Sequence, residues 1–164
     1  ILFKDLEVKT MKLFAVTALG MALMSAPVFA EGHASGDAEA GETVFNKCKA
    51  CHMISDADGN DIVKGGRTGP NLYGVFGRAA ASTDFKYGDS LMEAGEAGLV
   101  WNEEEFVKYV ADPKEYLETY LDSNRARSKM AFKLRDEADA ANVWAYLVSV
   151  GPEVEAEEAV KTDG

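Results

Sequence analysis

Apolar positions along this chain fall into one long uncharged run near its start and then into short stretches of helical period. Glycine-rich and polar segments separate those stretches. The residues AEAGETVFNK, just before Cys48, predict a first helix over about 38–50, with Asp37 placed to cap it. A long loop follows, rich in glycine and carrying Pro70. SLMEAGEAGL reads as a short amphipathic helix at about 89–97, where Met92 is expected to fill core. Asn102 can cap the next helix, whose Glu103, Glu104 and Glu105 suit the positive end of its dipole and whose end Pro113 limits. Residues 114–121 suggest another helix. The last is expected over about 136–150, with Asp136, Glu137 and Asp139 at its start and Gly151 as its stop. The expected fold class is all-α, about five helices joined by long loops.

The uncharged run itself reads as an address. Lys12 is followed by 18 uncharged residues to Ala30; Pro27 interrupts them near the end, and Val28-Phe29-Ala30 forms a small-x-small cleavage site. A membrane anchor is the competing reading, but a spanning helix wants about 20 apolar residues and Pro27 counts against it. Residues 1–10, ILFKDLEVKT, have no leader-like character, so translation is expected to begin at Met11 and residues 1–10 to be a misplaced start. The expected organisation is a signal peptide over 11–30, a domain over 31–150, and an acidic, disordered tail over 151–164.

Composition adds two constraints. The apolar fraction of 47% and charged fraction of 27% are those of an ordinary globular protein. The formal charge is −11, and the +1 carried by residues 1–30 leaves −12 on the mature chain. Nucleic acid is excluded as a partner, because phosphate is repelled. An acidic, soluble domain exported to an oxidising compartment is expected.

The stretch CKACH, residues 48–52, holds the only two cysteines and one of the two histidines. A structural disulfide across two intervening residues closes a very small loop and removes little chain entropy. A thioredoxin-like pair wants a strand before it, whereas a helix is already under way here. Zinc lacks ligands, since only His52 and the distant His33 accompany Cys48 and Cys51. Haem uses every residue of the stretch: Cys48 and Cys51 on one helical turn match its two vinyl groups, and His52 reaches the iron as proximal ligand. Export fits this reading, which is favoured over the other three.

One haem raises the question of the sixth iron position. Met53 adjoins His52 and cannot comfortably reach the other face, and His33 lies in the Gly- and Ser-rich start EGHASGD. Met130 lies in NRARSKMAFKLR, a cationic loop whose main large apolar residues are Met130 and Phe132. Such a loop can carry a thioether across the haem, so Met130 is the favoured ligand, with a surface methionine packed under the loop as the alternative.

Seven motifs stand in order: GETVFNKCKACH (41–52), KGGRTGPNLYGVFGR (64–78), FKYGDSL (85–91), Trp101 before a helix, YVADPKEY (109–116), SKMAFK (128–133) and NVWAYL (142–147). Over residues 36–150 the chain resembles class I monohaem cytochromes c, the bacterial cytochrome c-two group related to the mitochondrial protein. The resemblance implies the cytochrome c fold around one covalently attached haem c, with the first and last helices crossing at Gly41 beside Phe45, Val143 and Tyr146. It implies that the Pro70 carbonyl accepts the imidazole N–H of His52, and that Arg78, Tyr87 and Trp101 serve the haem propionates. Tyr109 matches a tyrosine near the methionine ligand.

His/Met ligation implies a one-electron carrier and no enzyme, because both axial sites are filled. Expected partners are membrane redox complexes: a quinol-oxidising bc-type complex as donor, and a terminal oxidase, photosynthetic reaction centre or other acceptor. The expected location is the periplasm, and the expected state a monomer with no stable membrane insertion after cleavage. Nine cations in two segments, Lys47, Lys49, Lys64 and Arg67, then Arg125, Arg127, Lys129, Lys133 and Arg135, predict a basic haem edge that docks on acidic surfaces. Residues 136–164 carry eight acids and one lysine, which predicts an acidic back. A peroxidase-like haem enzyme with an open iron site is the rival, as is a thiol–disulfide oxidoreductase. An enzyme needs a distal acid–base group, and the only spare histidine is His33.

Overall fold

The computed structural model describes residues 34–153. The expected signal peptide, His33 and most of the acidic tail lie outside the described residues. Five helices occur in the described chain: α1 (Ala38–Phe45), α2 (Asp89–Glu96), α3 (Glu103–Ala111), α4 (Pro113–Tyr120) and α5 (Glu137–Ser149). A two-stranded hairpin, β1 (Ile54–Ser55) and β2 (Asp61–Val63), is the sheet component.

Side-chain caps set where the helices start. Asp37 accepts from the Ala40 N–H, Asn102 from Glu105, Asp112 from Glu115 and Asp136 from Asp139, each satisfying a first-turn N–H that has no intrahelical partner. Asp112 both closes α3 and opens α4, and Pro113 occupies the first position of α4, where its missing N–H costs nothing.

Two boundaries differ from the sequence expectation. α1 ends at Phe45, not near 50, because the backbone tightens: Lys47 N–H bonds Val44 O and Cys48 N–H bonds Phe45 O, each three residues back. α5 ends at Ser149 with Val150 as its cap, within a residue of the expected 150, and Gly151 follows it without the positive φ of a left-handed glycine cap.

The core forms where α1 crosses α5. Gly41 permits the approach: a Cβ there would sit 1.9 Å from Asn142 O and 2.8 Å from Tyr146 Cβ. Phe45 packs against Tyr146 at 5.6 Å between ring centres, and the fully buried Trp144 meets Phe106 at 5.2 Å. α3 lies against α5, and α4 follows α3. Each fully buried side chain of the Val143, Leu117 and Leu147 type contributes about 1.5–3 kcal/mol. Met92 is 40% exposed, so the core role expected of it is not filled.

The hairpin positions the loop that carries Pro70. Ile54 stands opposite Val63, and Gly59 takes the turn at φ +85°. Asn71 clips the loop to β1: its Oδ1 accepts from Ser55 N–H at 3.0 Å and its Nδ2 donates to Ser55 O at 2.7 Å.

Candidate functional site

A cavity of about 430 Å³ opens between the turn after α1, the Pro70 loop, the 85–88 segment, α3 and the 127–132 loop. All eight residues singled out from the sequence line it: Cys48, Cys51, His52, Pro70, Arg78, Tyr87, Trp101 and Met130. Met53 and Met92 do not. Apolar groups, among them Leu72, Val75, Leu91, Phe106 and Val143, make up much of the remaining wall.

The tight turns after α1 deliver the first wall. His52 N–H bonds Cys48 O at 3.0 Å, which winds Cys48, Cys51 and His52 onto one turn. Cys48 is half-buried and Cys51 exposed, and both are free thiols. Burial pushes the Cys48 thiol up to about 11, against a smaller opposing pull from Lys47. At neutral pH Cys48 is therefore S–H and not a reactive thiolate.

His52 is fixed from two sides. Its Nδ1 lies 2.8 Å from Pro70 O. A carbonyl oxygen only accepts, so Nδ1 carries the proton and donates it, and Nε2 is left with a lone pair. Burial lowers the His52 pKa and outweighs the opposing effect of the Pro70 bond, so the ring is neutral, the form that ligates a metal. Gly69 lies against the ring: a Cβ there would come within 2.4 Å of His52 Cε1. Sequence reasoning found Pro70 but missed Gly69, whose signal was its place next to Pro70 in TGPNL.

The 127–130 loop is strapped in place across the mouth. Arg127 N–H bonds Ser90 Oγ at 3.0 Å at the start of α2. Ser128 Oγ donates to Met130 O at 3.0 Å and lies 3.1 Å from Met130 N, from which it accepts. Lys129 Nζ donates to Tyr87 O at 2.8 Å and Lys86 O at 3.1 Å. Lys129 was expected only as a docking charge; its backbone bonds are not visible in a sequence pattern. Met130 is half-buried on this loop.

The polar residues of the wall are partly committed. Arg78 donates to Tyr73 O at 2.9 Å and Asn71 O at 3.3 Å. Burial lowers its pKa, and among the described residues no carboxylate forms an ion pair with it. Tyr87 shares a 2.5 Å contact with Thr83 Oγ1. Trp101 and Tyr109, both 8% exposed, meet edge to face at 5.0 Å.

The donor set fits a haem. Two free thiols stand on one turn beside a neutral imidazole with a free Nε2, and a thioether reaches the same apolar cavity. A disulfide and a zinc site do not fit: the thiols are unbridged, and the described residues hold no cluster of three or more His, Cys, Asp or Glu side chains suited to a metal ion. Nor does a helix begin at the cysteines, as a thioredoxin-like site needs; one ends just before them.

Fold and site together define a c-type haem protein. The chain belongs to the cytochrome c family, whose profile matches residues 38–151, and within it to the class I monohaem cytochromes of the cytochrome c2 group. It is 58% identical over 132 residues to cytochrome c-551 of Roseobacter denitrificans, covering 80% of this chain and 91% of that protein. Among solved structures it is similar to cytochrome c2 from Rhodobacter sphaeroides, with 51% identity and a TM-score of 0.70 over 73% of this chain and 99% of that one. Ferric cytochrome c-550 from Paracoccus versutus gives 51% identity and a TM-score of 0.68 over 71% and 99%. The protein carries one haem c, attached covalently through Cys48 and Cys51, and acts in electron transport. No helix among the described residues is long and apolar enough to cross a membrane.

Proposed function

We propose that this chain is a periplasmic one-electron carrier whose haem iron is held by His52 and Met130. It takes electrons from a quinol-oxidising bc-type complex and delivers them to a terminal oxidase, a photosynthetic reaction centre or another redox partner. The observation that carries this reading is that His52, with Nε2 unengaged, and the Met130 thioether line the same cavity.

The bound haem supplies a one-electron Fe(III)/Fe(II) couple, and a thioether ligand favours the reduced state. The residues of the chain do the rest. The Pro70 carbonyl orients the imidazole and raises its basicity through the Nδ1 bond. Ser128 and Lys129 hold Met130 on a fixed loop, so the site has little to rearrange between oxidation states. Arg78, with guanidinium N–H groups beyond those on Tyr73 and Asn71, is the natural partner of a propionate, with Tyr87 and Trp101 beside it. With two protein ligands on the iron there is no site for a substrate, which is why the chain is a carrier and not an enzyme.

Docking uses the cations around the cavity mouth. Lys47, Arg127 and Lys129 line the cavity. Lys47 is paired with Asp139 at 2.9 Å, and Lys133 with Asp112, so these two project less charge than the sequence suggested. Lys49, Lys64, Arg67, Arg125 and Arg135 are exposed, and they steer the haem edge toward acidic partners despite the acidic total. Export to the periplasm rests on the leader-like run of residues 11–30 and on the free thiols joining haem outside the cytoplasm.

The ligand assignment is tested with Met130→Ala. The variant is expected to keep its covalent haem, to have a lower reduction potential, and to bind added imidazole that the parent protein binds weakly. Unchanged potential and unchanged imidazole binding sink the assignment.

A further inference from the structure

Three exposed cations meet over the outer side of the cysteine turn. The backbone after β2 lies flat on residues 49–52: Gly66 N–H bonds Lys49 O at 2.9 Å, and a Cβ at Gly65 would sit 1.9 Å from His52 O. That contact brings Lys64 and Arg67 beside Lys49. Among the described residues none of the three forms an ion pair. The acids of the adjoining hairpin are engaged within it, Asp56 by Asn60 and Asp61 by Ser55.

The same stretch of backbone leads to the place where the acidic tail departs. Gly69 N–H bonds Cys51 O and Leu72 N–H bonds Met53 O, so residues 66–72 run alongside 49–53. Gly74 follows at φ +65°, and the Pro152 ring lies over it: a Cβ at Gly74 would stand 3.4 Å from Pro152 Cδ. Residues 153–164 leave from that seat. They carry Glu153, Glu155, Glu157, Glu158 and Asp163 against Lys161 alone. Arg67 lies seven residues before Gly74, so the two are no more than about 25 Å apart. Glu158 lies six residues beyond Pro152 and reaches up to about 20 Å, and Asp163 reaches up to about 40 Å. Reach and sign of charge therefore both suit the tail to the cations.

We propose that residues 153–164 are an intramolecular occupant of the Lys49, Lys64 and Arg67 patch, covering part of the docking face until an acidic partner displaces them. The inference rests on the reading of these cations as a docking surface. Tethering at Pro152 gives the tail a local concentration near the patch that a free partner must exceed. Weak encounters are thereby discouraged, and a partner with more acids in a fixed array wins the patch. Charge holds the contact, so salt releases it: the screening length is about 30 Å at 0.01 M and about 3 Å at 1 M.

The contact is read first without any redox partner. Ala159→Cys in the ferrous, 15N-labelled holoprotein carries a nitroxide, and amide broadening is compared with a diamagnetic analogue of the label. At low salt, broadening is expected at Lys49, Lys64 and Arg67, lost in 1 M salt and lost in Lys64→Gln/Arg67→Gln. Shift differences at the same amides between the parent and a chain shortened to residue 153 give the same answer without a label. Absence of both effects overturns the proposal and leaves the docking reading standing. Broadening in a mixture of labelled 14N chain and unlabelled 15N chain assigns the patch to the tail of a second copy, and also overturns it. Competition is read with ferricyanide, an anionic oxidant. The shortened chain is expected to react at least about twofold faster than the parent at low salt. That gain vanishes in Lys64→Gln/Arg67→Gln if the tail acts through the patch; a gain that persists there is an effect of net charge and refutes the masking. A patch variant as fast as the parent with ferricyanide strikes the docking reading itself, and the masking with it.

Discussion

Replacing Gly69 by alanine tests how the His52 imidazole is held. The new Cβ would stand 2.4 Å from His52 Cε1, 2.7 Å from Nδ1 and 2.8 Å from Nε2. Comfortable carbon contacts lie at about 3.5 Å, so the ring must retreat by about 1 Å. Its Nδ1 bond to Pro70 O, now 2.8 Å, cannot follow, since Pro70 is the next residue after the substituted one. A retreat of that size stretches the bond to about 3.8 Å, past the useful range. A buried polar group left unpaired costs about 1–3 kcal/mol. Overpacking adds about 1–3 kcal/mol. The expected loss of about 2–6 kcal/mol is a large share of a total stability of about 5–15 kcal/mol. Urea unfolding of the holoprotein, followed by circular dichroism, reads it out. With a slope of about 2 kcal/mol per M, the midpoint falls by at least about 1 M. Gly69 has no positive φ, so backbone strain does not contribute. An unchanged midpoint refutes the claim that Gly69 clamps His52.

Gly41→Ala places a Cβ 1.9 Å from the Asn142 carbonyl, which cannot yield as a side chain could. Overpacking of about 1–3 kcal/mol exceeds the gain of about 1 kcal/mol from better helix propensity, so the thermal midpoint falls; a rise contradicts the close crossing of α1 and α5. Asp112 is held below the usual carboxylate range, chiefly by its bond from Lys133 and also by the α4 N–H groups that it caps. Its folded pKa is below its unfolded one, so its stabilisation is fully present above about pH 4 and is lost as pH falls through the folded value. Asp112→Asn is thus less stable than the parent at neutral pH, and the two thermal midpoints converge in acid; a gap that stays constant with pH rules out the charge as its source.

The helix starts were legible because their caps are local chemistry: Asp37, Asn102 and Asp136 each accept from an N–H three residues on. Pro113 was read as a limit on α3 and is also the first residue of α4, since Asp112 serves both. The end of α1 was misplaced by five residues because the haem-attachment turn is tighter than α-helix, which apolar periodicity does not register. The hairpin escaped because strands of two and three residues are too short to show a two-residue period. The eight site residues converge on one cavity from segments far apart in sequence; CKACH announced itself by composition, while Pro70, Arg78, Tyr87 and Trp101 needed the resemblance. Gly69 had only its place beside Pro70 as a signal, and the backbone bonds of Lys129 and the pairing of Glu105 with Tyr116 depend on tertiary contact, which no spacing rule registers.

The visible spectrum of the holoprotein in its ferric and ferrous forms tests the central claim most directly. His52/Met130 ligation predicts the weak far-red band of a thioether on ferric iron, absent in Met130→Ala. Bound haem without that band, or a band that survives Met130→Ala, contradicts it and reopens the case for an iron site free to take a substrate.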